Sequence, residues 1–330
     1  MGTPGVPNMV LVAPDSFKGT LRASEVAEAV GRGLEASGWV VELCPVGDGG
    51  EGTLDALFSA LGGEVRRAVV SDPLGRPVEA RFVLSGDGFA ILETAAASGL
   101  GLVRAGERDP FAASTFGTGE LIVAACSEGA RVVYLGVGGS ATTDGGAGAI
   151  RAIRQGGGLG GARLVVLCDV RTPFEDAARV FGPQKGASVA DVGRLTKRLH
   201  GMARRLDRDP RGVPMTGAAG GLSGGLWAAF GAELVSGAAF VLDAIGFDQR
   251  MRLARAVVTG EGTLDQQSLA GKAVSEVATR ARQAGVPCHA IVGKRALDSF
   301  GLRVLDLQAV LEAGTLPEIE AAGRELGGSV

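Results

Sequence analysis

Carboxylates set among glycines recur along this chain. Asp15, Ser16 and Lys18 occupy Pro14-Asp15-Ser16-Phe17-Lys18-Gly19, and Asp48 and Glu51 occupy Gly47-Asp48-Gly49-Gly50-Glu51-Gly52-Thr53. Asp144 stands in Gly138-Gly139-Ser140-Ala141-Thr142-Thr143-Asp144-Gly145-Gly146. Asp169 closes an apolar run, and Glu261 and Asp265 share Gly260-Glu261-Gly262-Thr263-Leu264-Asp265. Each group follows a short apolar, strand-like run, and the carboxyl ends of parallel strands are where such sheets bind ligands. Carboxylates beside glycine-rich loops suit Mg²⁺-nucleotide handling, because Mg²⁺ takes one or two carboxylates together with phosphate oxygens. Phosphoryl transfer asks mainly for positioning, cations for the phosphates and a base for the attacking hydroxyl. Lys18 and Lys185, both in Gly- and Pro-containing loops, are the candidate cations.

The stretch Val132–Gly148, VVYLGVGGSATTDGGAG, admits two readings. Successive N–H groups in a glycine loop before a helix make an anion-binding concavity. The same glycines could serve only a tight strand-to-helix turn. Gly136-Val137-Gly138-Gly139-Ser140-Ala141 fits the dinucleotide fingerprint, but the acid expected about 20 residues later is absent from Gly156-Gly157-Gly158-Leu159. Gly271-Lys272 is followed by Ala273 and fails the Walker pattern. Gly221-Leu222-Ser223-Gly224-Gly225 matches the nucleophile-elbow pattern without a preceding strand, and only His289 lies downstream as a base. With His200 and His289 alone, a histidine-rich metal site is excluded.

These loops need elements to carry them. Strands are expected at Met9–Ala13 and Val40–Val46, with a helix between them capped by Thr20 or Ser24, and a helix at about Leu54–Leu61. The rhythm then shifts to short strands at Glu64–Val70, Val78–Leu84 and Phe89–Glu93. Further strands are expected at Val132–Leu135 and Leu164–Asp169. The βα rhythm resumes at Arg255–Thr259 and runs through Cys288–Val292 to the end. The expected fold is a doubly wound, Rossmann-like parallel-sheet α/β domain made of residues 1–63 and 251–330. A second α/β domain with a mixed sheet, residues 64–250, is inserted in it.

Composition narrows the classes. The chain has 330 residues, 46% hydrophobic and 21% charged, with a net charge of −3. No basic stripe is present for nucleic acid, and no apolar run is long enough for a bilayer. Glycine is the outlier at 55 residues, against a usual share of roughly 7%. Cys44, Cys126, Cys168 and Cys288 are scattered, which favours reduced thiols in a cytoplasmic protein.

Taken together, the segments resemble the bacterial type I glycerate kinase family. APDSFKG (Ala13–Gly19), DGGEGT (Asp48–Thr53), DPLGRP (Asp72–Pro77), GTGELI (Gly117–Ile122) and GGSATTDGGAG (Gly138–Gly148) carry the resemblance. So do FGPQKGA (Phe181–Ala187), AAGGLSGGL (Ala218–Leu226) and TGEGTLD with GK (Thr259–Asp265, Gly271-Lys272). They occur in the family's order over nearly the whole chain. The resemblance implies ATP- and Mg²⁺-dependent phosphorylation of D-glycerate, usually at the 2-hydroxyl, the 3-hydroxyl being the alternative. It implies a small-molecule acceptor, no nucleic-acid or membrane partner, and it allows a homodimer. On this reading Asp48, Asp265 and Lys18 are catalytic, and Asp15, Ser16, Lys18, Glu51 and Glu261 hold the substrate. Gly138, Gly139, Ser140, Thr142, Thr143, Gly145 and Lys185 hold ATP, with Asp144 and Asp169 at the metal. Three departures stand out: Ile150–Arg163 is shortened, Thr263 replaces the usual arginine, and Lys294-Arg295 replaces small residues.

Overall fold

The computed structural model describes residues 8–17, 19–50 and 52–329. In chain order the strands are β1 (Met9–Pro14), β2 (Val40–Leu43), β3 (Glu64–Ser71), β4 (Pro77–Leu84), β5 (Phe89–Glu93), β6 (Val132–Gly136) and β7 (Arg163–Leu167). They continue as β8 (Glu233–Val235), β9 (Ala256–Gly260), β10 (Thr263–Leu264), β11 (Cys288–Val292), β12 (Lys294–Arg295) and β13 (Leu307–Glu312). Two compact units result, one from the chain up to Asp48 together with Ala238 onward, the other from Gly49–Gly237. The sequence reading set its crossings after residue 63 and before residue 251. The helix Thr53–Leu61 packs on β5 and β4, and so lies with the Gly49–Gly237 unit.

The unit made of both chain ends carries a five-stranded, all-parallel sheet in the order β13-β11-β9-β1-β2. Counting only its own strands, the order is the doubly wound 2-1-3-4-5 pattern. Its central strands are buried on both faces. Leu11 and Ala13 of β1 join one apolar cluster with Val257, Val274 and Val277. Val10 and Val12 join another with Val258, Val26, Val30 and Ile319. Alternate side chains of one strand thus feed two helix layers, which is why β1 is a continuous apolar run. The helix Ala23–Glu35 starts from Arg22, which forms a capping box with Glu25, so neither Thr20 nor Ser24 is the cap.

The Gly49–Gly237 unit has a six-stranded mixed sheet, β3-β4-β5-β6-β7-β8. β3, β4 and β5 pair antiparallel and the remaining strands parallel. Phe82, Leu92, Leu121, Leu135 and Leu222 fill its main core. Among the described residues, no helix is long and apolar enough to cross a membrane.

Glu93, at the end of β5, supplies what Gly52 lacks as an N-cap. Its Oε1 accepts from Gly52 N at 3.0 Å and Leu54 N at 2.9 Å, satisfying the first donors of helix Thr53–Leu61. Burial pushes its carboxyl up to about 7, against the pull of those N–H groups. A folded-state pKa above the ordinary 4.5 means the fold holds the proton more tightly. This contribution to stability is therefore full at acid pH and declines as pH rises towards 7. Glu93→Gln keeps the acceptor oxygen and removes the charge. Thermal unfolding should show the variant more stable than the parent by about 3 kcal/mol at pH 8 and matched to it at about pH 4. Equal gains at both pH values would contradict the assignment.

Candidate functional site

Each unit presents one chemically equipped region at its strand exits. In the chain-end unit, the carboxyl ends of β1 and β9 lie side by side, with Pro14 in register with Gly260. This is the switch point of the 2-1-3-4-5 order, where such sheets bind ligands. A cavity of about 400 Å³ opens there, and its lining includes Ser16, Glu261, Thr263, Asp265, Lys272 and Lys294. Asp265 accepts from Gln267 N through Oδ1 at 2.8 Å, which fixes the carboxylate at the head of a turn. Lys272 Nζ lies 3.8 Å from Glu261 Oε2. Ser16 N donates to Asp15 Oδ1 at 2.7 Å, so the buried Asp15 braces the loop that carries Ser16. Asp15 and Asp48 are buried and stand outside the described lining. Lys18 and Glu51 lie outside the described residues.

In the other unit the loop after β6 folds around the carboxylate of Asp144. Oδ2 accepts from Thr115 N at 2.9 Å, Thr115 Oγ1 at 2.8 Å and Gly148 N at 3.0 Å, and Oδ1 accepts from Gly146 N at 3.0 Å. Asp144 therefore organises the loop and the start of helix Ala147–Gln155. Lys185 is 2% exposed, and its Nζ donates to Ser140 Oγ at 2.9 Å and Thr142 O at 2.6 Å. An ammonium has three donors, so one remains. Burial pulls this ammonium down from its ordinary 10.5 to about 7, while the charge of Asp144 opposes the fall. The hydroxyls of Thr142 and Thr143 are buried and, among the described residues, have no hydrogen-bond partner. Leaving a buried hydroxyl unpaired costs roughly 1–3 kcal/mol, a cost that a phosphate oxygen would relieve. These residues fit a phosphate group.

The expected glycine donors behave differently. Gly138 N is bonded to Gly49 O and Gly145 N to Gly220 O, both at 3.0 Å. Gly220 has φ +66°, and a Cβ there would lie 2.0 Å from Thr142 O. Its absence lets the first turn of helix Ala218–Phe230 press on the loop. Gly138 and Gly145 thus close the loop on its neighbours, and the buried polar side chains left in it are Ser140, Thr142, Thr143 and Lys185.

A metal cage is a poorer fit. Asp144 is committed to four internal hydrogen bonds, and Asp169 Oδ1 accepts from Ser236 Oγ at 2.9 Å. Among the described residues, no three His, Cys, Asp or Glu side chains gather closely enough to hold an ion. The nucleophile-elbow pattern also fails structurally. Ser223 lies inside a helix, fully buried, with Oγ donating to Met215 O at 2.7 Å. Sequence reasoning assigned no role to Lys272, Lys294 or Glu93. The signal for the first was the Gly271-Lys272 pair, already set aside as a failed Walker match.

The sequence profile of the glycerate kinase family matches residues 10–156 and 157–321, breaking inside the stretch read as shortened. A glycerate 2-kinase from Escherichia coli is 39% identical over 352 aligned positions, covering 94% of this chain and 92% of that protein. That alignment is longer than the 330 residues of the chain, so the relative carries residues with no counterpart here. A glycerate kinase from Halalkalibacterium halodurans is 40% identical over 324 positions, covering 87% of this chain and 85% of that protein. The crystal structure of a candidate glycerate kinase 2 from Salmonella typhimurium LT2 superposes with a TM-score of 0.78 at 34% identity, covering 97% of each chain. The chain belongs to the glycerate kinase family.

Proposed function

We propose that this chain transfers the γ-phosphoryl group of ATP to the 2-hydroxyl of D-glycerate. The observation that carries the reading is the cradle of Ser140, Thr142, Thr143 and Lys185. It offers a buried cation with one donor to spare and two hydroxyls without partners. The nucleotide phosphates take this cradle, and the acceptor takes the cavity at the exits of β1 and β9. Ser16 and Glu261 orient the acceptor. Asp265 takes the proton of the attacking hydroxyl, since its carboxylate lines the cavity and is held by Gln267 N. Positioning and electrostatics supply most of the acceleration in such a reaction. Mg²⁺ belongs to the reading as the companion of the ATP phosphates, the form in which it is held by few protein groups. Asp144 is the frame of the cradle in this account, and no step runs through a metal bound to it.

The first test is product identity. Incubation with ATP, Mg²⁺ and D-glycerate should release ADP and yield a product that enolase consumes directly. A product that enolase accepts only after a mutase is added would move the reaction to the 3-hydroxyl. No ADP across a panel of short hydroxy acids would refute the kinase reading.

The base assignment is tested by charge removal. Asp265→Asn is expected to lower kcat by about 10²–10⁴-fold, the usual contribution of a general base. Asp48→Asn, outside the described lining, should lower it far less, and the reverse ranking would transfer the role to Asp48.

Lys185 makes a pH-dependent claim. Only its protonated form attracts phosphate, and in the free protein that form is half populated at about pH 7. The value of kcat/KM for ATP should therefore bend near pH 7 and fall about tenfold per pH unit above it. A flat profile from pH 6 to 9 would place the phosphates elsewhere.

A further inference from the structure

Two lysines in the acceptor cavity have no part in the chemistry assigned so far. Lys272 immediately precedes helix Ala273–Ala284, and Lys294 lies on β12, paired in parallel with β10 so that Thr263 and Lys294 are in register. Both line the 400 Å³ cavity with Glu261 and Asp265. The 3.8 Å separation of Lys272 from Glu261 is beyond hydrogen-bond range. Among the described residues neither lysine's ammonium makes a hydrogen bond, and Lys294 has no ion pair. Lys272 is half-buried and Lys294 is exposed.

Charge decides what such a cavity accepts. With only Glu261 and Asp265 it would repel any anion, because like charges brought together at a site cost several kcal/mol. The two lysines cancel that field before a ligand arrives and leave their N–H donors uncommitted. An uncharged polyol would gain little from them. A short hydroxy acid would place its carboxylate on the two ammonium groups and its hydroxyl towards Asp265. Lysines hold an anion as point charges and lack the fixed fork of arginine, so the grip selects for charge more than for orientation.

We infer that Lys272 and Lys294 together hold the acceptor's carboxylate and make the cavity prefer a short hydroxy acid to a neutral polyol. The inference rests on the kinase reading above and adds the residues that set its substrate class. It is tested on the full-length protein with Lys272→Gln, Lys294→Gln and Lys294→Arg, assayed for ADP release with D-glycerate and with glycerol.

Each glutamine variant should raise the KM for D-glycerate by about 10- to 100-fold, the range for loss of one charged hydrogen bond. The KM for ATP should move by less than about threefold. The preference for D-glycerate over glycerol should shrink by the same 10- to 100-fold factor. Lys294→Arg should restore most of that preference. Lys294 is exposed, so its substitution decides the matter even if Lys272→Gln fails to fold. An unchanged glycerate-to-glycerol preference in an active Lys294→Gln variant would overturn the inference while leaving the kinase reading intact. A parent protein that neither releases ADP with D-glycerate nor binds it in calorimetry would overturn both.

Discussion

The carboxylate of Asp144 is the constraint on which the loop after β6 depends. A buried carboxylate is tolerated only when its lone pairs are satisfied, and here four donors from three residues at two helix starts converge on it. Thr115 comes from the head of the helix Phe116–Ser127, and Gly146 and Gly148 come from the head of the helix Ala147–Gln155. Thr115 Oγ1 also accepts from Ala149 N at 3.0 Å, which ties the two helix starts to each other. With the loop held this way, Ser140 and Thr142 are in place to receive Lys185. The negative charge of Asp144 in turn keeps a fully enclosed lysine protonatable near neutral pH. One acidic side chain thus provides both geometry and potential.

The cavity at the exits of β1 and β9 depends on a different constraint, the strand order of the parallel sheet. Ser16 and Glu261 are far apart in sequence, yet β1 and β9 are neighbours because the sheet winds outward in both directions from that pair. The backbone bond from Asp15 N to Gly260 O at 2.8 Å extends the pairing one step past the strands and brings the two loops together. Gly293 after β11 and Gly314 after β13 also reach the cavity, so four parallel strands contribute their carboxyl ends to it. No element needs to be distorted to collect these groups, since the winding of the sheet does it.

Sequence made the strand exits legible, because short apolar runs ending in Gly, Asp and Ser have few other uses. The apolar run of β1 was visible too, and the structure adds that it is buried on both faces. What sequence could not show is which polar groups are already occupied. Gly138 and Gly145 looked like phosphate donors, but their N–H groups face Gly49 and Gly220. For Asp144 the residue type and the loop were visible, and its four hydrogen-bond partners were not. Lys294 was noticed only as a departure from the family, because its value depends on the register that sets it beside Thr263. The GxSxG pattern illustrates the converse case, since its glycines serve close packing and its serine is sealed within a helix.

The shortened stretch after the cradle can be weighed on the same terms. The family match breaks between residues 156 and 157, just beyond the end of the helix Ala147–Gln155. A helix of nine residues is about 13 Å long, so the point where the family match divides lies about a helix length beyond Asp144. Gly157, Gly158, Gly160 and Gly161 all adopt positive φ and would meet nothing within 4 Å if given a Cβ. They form an open turn that does not press on its surroundings. Past it, β7 pairs with β6 in unbroken register from Val132 with Arg163 to Gly136 with Leu167. The strand that leads into the cradle and the helix that leaves it therefore keep their partners. The hydrogen bonds to Asp144 and the β6–β7 register are therefore both intact on either side of this glycine-rich turn.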